Sequence, residues 1–283
     1  MAIIFALITF LGWGVGEFLS AIASRKLGSI KAFFWIFLLS LPLASLYLPF
    51  VQLPTDMQML YLAFFIQFIH MIGNLTYFKG LEEGNASLVN PIAGTFGVII
   101  VLLSFIFFKE HIIAIQGIGI LLSLLGVLIV IFPWTSLTSI TLKSINHDKG
   151  IPFAVITSVL WGISFTFIKI PAIHIGWFWA YFPLILLSPL SYFYAKSKKV
   201  KIRISGLSIL PFLIIPAILI TLGNFTYNLG VMEGYVSIVA PIASSSPVIF
   251  VILARLFLND KLTKQQGIGI ICTLVGIVIL GLA

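Results

Sequence analysis

Ten long apolar runs, separated by short polar or charged intervals, fill almost the whole chain. They lie near 2–23, 31–51, 57–79, 86–108, 112–132, 151–170, 175–195, 206–230, 236–258 and 264–282. Each comes close to the ~20 residues an α-helix needs to cross a hydrocarbon layer ~30 Å thick. The runs are continuously apolar instead of alternating at period two, so they predict helices and not a β-barrel. The expected class is an all-α integral membrane protein with ten transmembrane helices.

Half of this pattern repeats. Residues 73–130 recur 150 positions later as 223–280, with 25 of 58 positions identical and no gap. Asn74 and Asn224, Tyr77 and Tyr227, Glu83 and Glu233, Pro91 and Pro241, and Gly117 and Gly267 fall into register. Earlier in each half, Trp13-Gly14 matches Trp161-Gly162 and Gly28 matches Gly176, at an offset of 148. The chain divides into a first repeat (1–132), a linker (133–150, with Pro133, Ser136, Asn146, His147 and Asp148) and a second repeat (151–283). Five spans per half is an odd number, so the second copy enters the bilayer from the opposite face. The expectation is two inverted five-helix repeats, the usual layout of a carrier with alternating access.

Composition narrows the class further. The chain is 60% apolar and 8% charged, with a mean hydropathy of +1.19, whereas soluble domains carry about 25% charged residues. Its partner is therefore a lipid bilayer. The lone Cys272 excludes an internal disulfide. The opening MAIIFALITFLGWG has no basic region before it and no cleavage site, and reads as a retained first span. The net charge of +8 does not point to nucleic acid, because the basic residues sit in short loops. Arg25, Lys26, Lys31, Lys79, Lys143, Lys149, Lys196, Lys198, Lys199, Lys201, Arg203, Lys261 and Lys264 fall on one side, with Arg255 leaning toward it. Lys109 and Lys169 fall on the other. Positive charge stays in the cytoplasm, which places both termini outside a plasma membrane.

The residues Tyr77, Gly80, Ser87, Pro91, Gln116, Gly117 and Gly126 recur as Tyr227, Gly230, Ser237, Pro241, Gln266, Gly267 and Gly276, with Glu110 and Val127 answered by Asp260 and Ile277 and Ala86 present in the first copy alone. With the two Trp-Gly pairs, this pattern resembles the EamA-type members of the drug/metabolite transporter superfamily over nearly the whole chain. The resemblance implies the inverted-repeat fold and transport of a small molecule, with export favoured and sugar-type uptake as the alternative. That superfamily carries amino acids, sugars, nucleotide derivatives and drugs. Many such relatives keep both termini in the cytoplasm, and the lysine pattern here points the other way.

Polar groups inside spans are costly in lipid and must face other helices or a hydrated cavity. Gln67, His70, Asn74 and Tyr77 share one face of the third span, and Thr221, Asn224 and Asn228, with Tyr227 beside them, form a related stripe in the eighth. They are candidates for binding substrate, with Trp13 and Trp161 supplying flat apolar contact. The competing reading is interhelical hydrogen bonding, worth about 0.6 kcal/mol each. Glu17, a mid-span carboxyl whose repeat counterpart is Phe165, is the candidate for coupling to protons or recognising a cationic group. A structural partnership with Lys169, Arg255 or His70 is its alternative. Lys169 and Arg255 themselves read as side chains reaching for the membrane surface. Pro91 and Pro241 are candidate hinges. Glu110 and Asp260 read as helix-end or loop contacts. Gly119, Ser123 and Gly126, repeated as Gly269, Thr273 and Gly276, form small faces for close packing, within the monomer or in a homodimer.

No Gly-rich phosphate loop is present, which argues against ATP-driven pumping. No His/Cys/carboxylate spacing suggests a metal, and no cofactor is implied. The expected function is therefore secondary transport of a small-molecule substrate, not enzymatic catalysis. A membrane-embedded enzyme or assembly factor is the reading of a different class.

Overall fold

The computed structural model describes residues 1–84, 86–132, 148–204, 206–258 and 262–283, and only the backbone of 86–88 and 91. Most of the expected linker, together with Lys143, Asn146, His147, Asp260 and Lys261, lies outside the described residues. The first half contains α1 (Ala2–Leu27), α2 (Ser29–Ser45), α3 (Met57–Glu83), α4 (Ala86–Ala93), α5 (Phe96–Phe108) and α6 (Ala114–Ile131). The second contains α7 (Ile151–Phe167), α8 (Lys169–Leu186), α9 (Leu190–Ser197), α10 (Pro211–Glu233), α11 (Val236–Ala243), α12 (Pro247–Leu258) and α13 (Lys264–Leu282). Among the described residues, eight helical runs are long and apolar enough to cross a membrane, while α5 and α7 are shorter apolar helices.

Two of the expected spans are broken. The fourth divides into α4 and α5 at Gly94–Thr95, and the ninth into α11 and α12 at Ser244–Ser246. Both breaks fall a turn beyond Pro91 and Pro241, which lie inside their short helices. In the second copy, Pro247 opens α12, where its missing N–H costs nothing. The expected boundary between the sixth and seventh spans also moves. Only Ile168 separates α7 from α8, and the chain reverses at Gly176 (φ 83°, ψ 159°). Gly28, its predicted counterpart, joins α1 to α2 with φ 87° and ψ 146°. This region is essentially closed to residues with a Cβ.

Glycines set the helix pairs. Ala2 lies against Gly234, Gly12 against Leu219 and Gly223, and Gly16 against Ile220, so α1 and α10 run antiparallel. Gly73 meets Trp161, Gly80 meets Phe153 and Gly84 meets Gly150, so α3 and α7 do the same. Between α6 and α13, Gly119 faces Gly276 and Gly126 faces Gly269. A Cβ on Gly126 would lie 2.5 Å from the Thr273 backbone nitrogen, so only glycine permits this approach. The small faces read from the sequence thus pack within the chain. The Gln-Gly pairs have a local cause: the side-chain oxygens of Gln116 and Gln266 accept the backbone N–H groups of Ile113 and Thr263, capping α6 and α13.

Outward positions such as Leu121, Leu125, Ile271 and Val278 are exposed, as a lipid-facing surface requires. The C-terminal ends of α1 and α3 and the N-terminal ends of α7 and α10 share one end of the bundle, where Lys26 lies over Phe212 and Lys79 over Phe153. The opposite end holds Lys109, Glu110 and Lys169.

Candidate functional site

Helix α1 turns one face inward. Phe10, Trp13, Glu17, Ser20 and Ser24 recur at steps of three and four. Phe10 and Trp13 are buried, while Ile4, Ile8 and Leu11 on the other side are exposed. Trp13 lies against Gly223 and stacks on Tyr227 (ring centroids 5.6 Å apart, 23° between planes). Its counterpart Trp161 lies against Gly73. The glycine after each tryptophan receives an isoleucine from the broken span opposite, Ile249 at Gly14 and Ile99 at Gly162. Thr9 and Thr226 hydroxyls meet at 2.9 Å, as do those of Thr157 and Thr76. Each of these contacts made by one copy on the other is thus returned.

The polar stripes of α3 and α10 meet around a pocket with room for about one water molecule. Gln67, His70, Ser164, Tyr181, Asn224 and Asn228 supply its polar lining. His70 Nδ1 and Ser164 Oγ are 3.0 Å apart. Gln67 Nε2 donates to the Ala180 carbonyl (2.8 Å), and Asn228 Nδ2 to that of Trp177 (3.1 Å). Asn224 Nδ2 donates to the Tyr181 hydroxyl (3.1 Å) and the Ile220 carbonyl (2.8 Å). These side chains tie α3, α7, α8 and α10 together. The stripes are therefore used in part as interhelical bonding.

Toward the lysine-rich end, Glu17 and Asn90 are exposed. Glu17 is exposed in the chain although it belongs to the inward face of α1, so its carboxylate lines an opening between helices. Ser246 Oγ stands 3.5 Å from Glu17 Oε2, the outer limit of a hydrogen bond. The Tyr77 hydroxyl donates to Asn90 Oδ1 (2.7 Å). Trp161 packs on Tyr77 (5.3 Å between centroids), and its Nε1 donates to Asn74 Oδ1 (3.0 Å). The other end of that amide, Asn74 Nδ2, is a buried donor without a hydrogen-bond partner. No lysine or arginine pairs with Glu17 among the described residues; Lys169 pairs with Glu110 instead (3.1 Å).

The expected single cavity wall is therefore divided. Glu17, Tyr77 and Trp161 border the opening, whereas Gln67, His70, Asn224 and Asn228 close the small pocket. Thr221 is buried beside Asn224. Trp13 and Tyr227 are sealed, the Tyr227 hydroxyl donating to the Phe165 carbonyl (3.0 Å). Pro241 is buried inside α11, and Pro91 is described by its backbone alone. Sequence reasoning missed Tyr181, Ser164 and Asn90. Their repeat counterparts are Phe33, Gly16 and Ala240, so a search for matched polar pairs passes over them. Among the described residues, no three His, Cys, Asp or Glu side chains gather as a metal site would need.

These features can be set beside known proteins. An uncharacterised protein of Methanocaldococcus jannaschii is 38% identical over 82 residues, a match spanning 29% of this chain and 60% of that relative. A solved crystal structure superposes over 99% of this chain and 97% of its own, with a TM-score of 0.78 at 15% identity, a likeness of fold. The model of the EamA-like transporter family matches residues 1–132 and again 148–282. The protein is a multi-pass membrane protein of the EamA-like transporter family, within the drug/metabolite transporter superfamily.

Proposed function

We propose that the chain is a ten-span secondary carrier of two inverted repeats that exposes its centre to each side of the membrane in turn. Inversion is supported by α6 and α13, which occupy equivalent places in the two copies and pack antiparallel. A span count of ten follows when α4 with α5, and α11 with α12, each cross once, and α7 continues to the reversal at Gly176. The observation that carries the reading is the unequal state of equivalent positions. Tyr77 and Asn90 border an opening at one end, while Tyr227 and Ala240 are sealed toward the other. A rocking carrier caught in one of its two states would show this difference.

The substrate class this favours is a small polar or amphipathic metabolite or drug. The unpartnered Asn74 Nδ2 offers it a donor, Tyr77 and Trp161 offer flat surfaces, and Glu17 either carries a proton or holds a cationic group. The lysine-rich end is assigned to the cytoplasm. Export is the favoured direction and sugar-type uptake the alternative. Solute flux into proteoliposomes, with and without a pH gradient, tests the reading across a panel of amino acids, sugars and organic cations. Absence of flux for the whole panel would leave it unsupported.

A further inference from the structure

Glu110 stands in the short segment between α5 and α6, and its side chain is only 3% exposed. It accepts the backbone N–H groups of Val236 and Ser237, both at 2.8 Å, and the Ser237 hydroxyl at 2.5 Å. It also accepts the Lys169 ammonium at 3.1 Å. Lys169 donates onward to the Gly234 carbonyl at 2.9 Å, with the rings of Phe108 and Tyr235 nearby. One carboxylate thus ties together the α5–α6 segment, the start of α8 and the N-terminus of α11. The amides at that helix end have no partner within their own helix, and the helix dipole favours negative charge there. Charge assistance strengthens each bond.

This knot closes the end of the bundle away from the lysine-rich mouth. Toward it lie Tyr227 and Ala240, both essentially without solvent exposure. In repeat register Ala240 corresponds to Asn90, which is exposed. Glu110 corresponds to Asp260, outside the described residues, but Lys169 corresponds to Ala21. A methyl group cannot supply an ion pair, so position 21 does not repeat the role of Lys169.

We infer that Glu110 is the latch of the sealed mouth, a positioning residue that holds α11 closed and favours the state open at the lysine-rich end. The inference rests on the alternating-access reading. Opening this mouth requires α11 to leave the carboxylate, and Lys169 then remains as the residue that compensates Glu110.

Thiol labelling tests the latch without any substrate. Full-length protein carrying Cys272→Ser is placed in nanodiscs and reacted with a charged maleimide. Ala240→Cys reports on the sealed side and Asn90→Cys on the open vestibule. In the otherwise native protein the first should label slowly and the second fast. Glu110→Gln removes the charge and turns a donor toward amides that need an acceptor. It should speed labelling at Ala240→Cys by at least roughly tenfold and slow it at Asn90→Cys. Lys169→Gln, the milder change, should act in the same direction. The exchange Glu110→Lys with Lys169→Glu should not restore slow labelling, because an ammonium at position 110 cannot accept hydrogens from α11. Native labelling rates in whichever of the two single variants elutes as folded protein would overturn the latch, and so would rescue by the exchange. If labelling responds but no solute moves in liposomes, the carrier reading fails and the latch stands.

Discussion

Tyr77 and Tyr227 hold the same place in the two copies, yet their hydroxyls are spent differently. Tyr77 donates to Asn90 beside an opening, and Tyr227 donates to the Phe165 carbonyl in a sealed interior. Removing each hydroxyl should therefore have separable effects. Tyr227→Phe strands a buried contact and is expected to cost about 1 kcal/mol, read as a lower unfolding midpoint. Tyr77→Phe leaves Asn90 in contact with solvent and should change stability less while altering solute flux. Equal destabilisation by both would contradict the assigned asymmetry.

The glycines beneath the two tryptophans make a second test. A Cβ at Gly73 would lie 2.8 Å from Trp161 Cδ1, and one at Gly223 2.5 Å from Trp13 Cδ1. Neither indole is free to retreat: Trp161 is held between Tyr77 and Phe96, and Trp13 between Phe165 and Tyr227. Gly73→Ala and Gly223→Ala should each cost about 1–3 kcal/mol by overpacking. Gly117→Ala is the control, since among the described residues no neighbouring element comes within 4 Å of the added methyl. Thermal unfolding in detergent should leave that variant at least as stable as the parent, because alanine is the better helix former.

Gly28 and Gly176 separate space from backbone geometry. Among the described residues a Cβ at either would meet nothing within 4 Å, but both residues have φ beyond +80°. Alanine should still destabilise by about 1–3 kcal/mol at each, through conformation alone. An unchanged unfolding midpoint in both variants would show that these turns relax without cost.

These three tests also mark what the sequence made legible. Repeat register matched Gly28 to Gly176, and helical period grouped Gly119, Ser123 and Gly126, their copies Gly269, Thr273 and Gly276, and the stripe from Gln67 to Tyr77; the reversal at Gly176 and the antiparallel pairing of the small faces come from the structure. Identical residues do not say how each copy is packed, so the full burial of Tyr227 and the half-burial of Tyr77 had no sequence trace. Pro91 and Pro241 pointed to the right spans, but the breaks fall on Gly94–Thr95 and Ser244–Ser246, where the next turn is weakest. Glu110 looked like an ordinary boundary carboxylate. The amides it caps are 126 and 127 residues away, a separation that helical periodicity does not span.

Glu17 is the candidate for energy coupling. Its side chain is exposed, and among the described residues its carboxyl meets the distant hydroxyl of Ser246 and has no paired lysine or arginine. A permanently charged group so placed would need a mobile partner, either a proton or a cationic solute. Glu17→Gln keeps the size and the contact with Ser246 while removing the ability to exchange a proton. If protons drive transport, the variant should lose uptake driven by a pH gradient and retain exchange of solute between the two sides. If Glu17 instead holds a cationic solute, the variant should lose binding of organic cations, measured by thermal shift, whatever the gradient. Flux, pH response and cation binding all equal to those of the parent would remove Glu17 from the mechanism and leave the opening without a charged contact for its cargo.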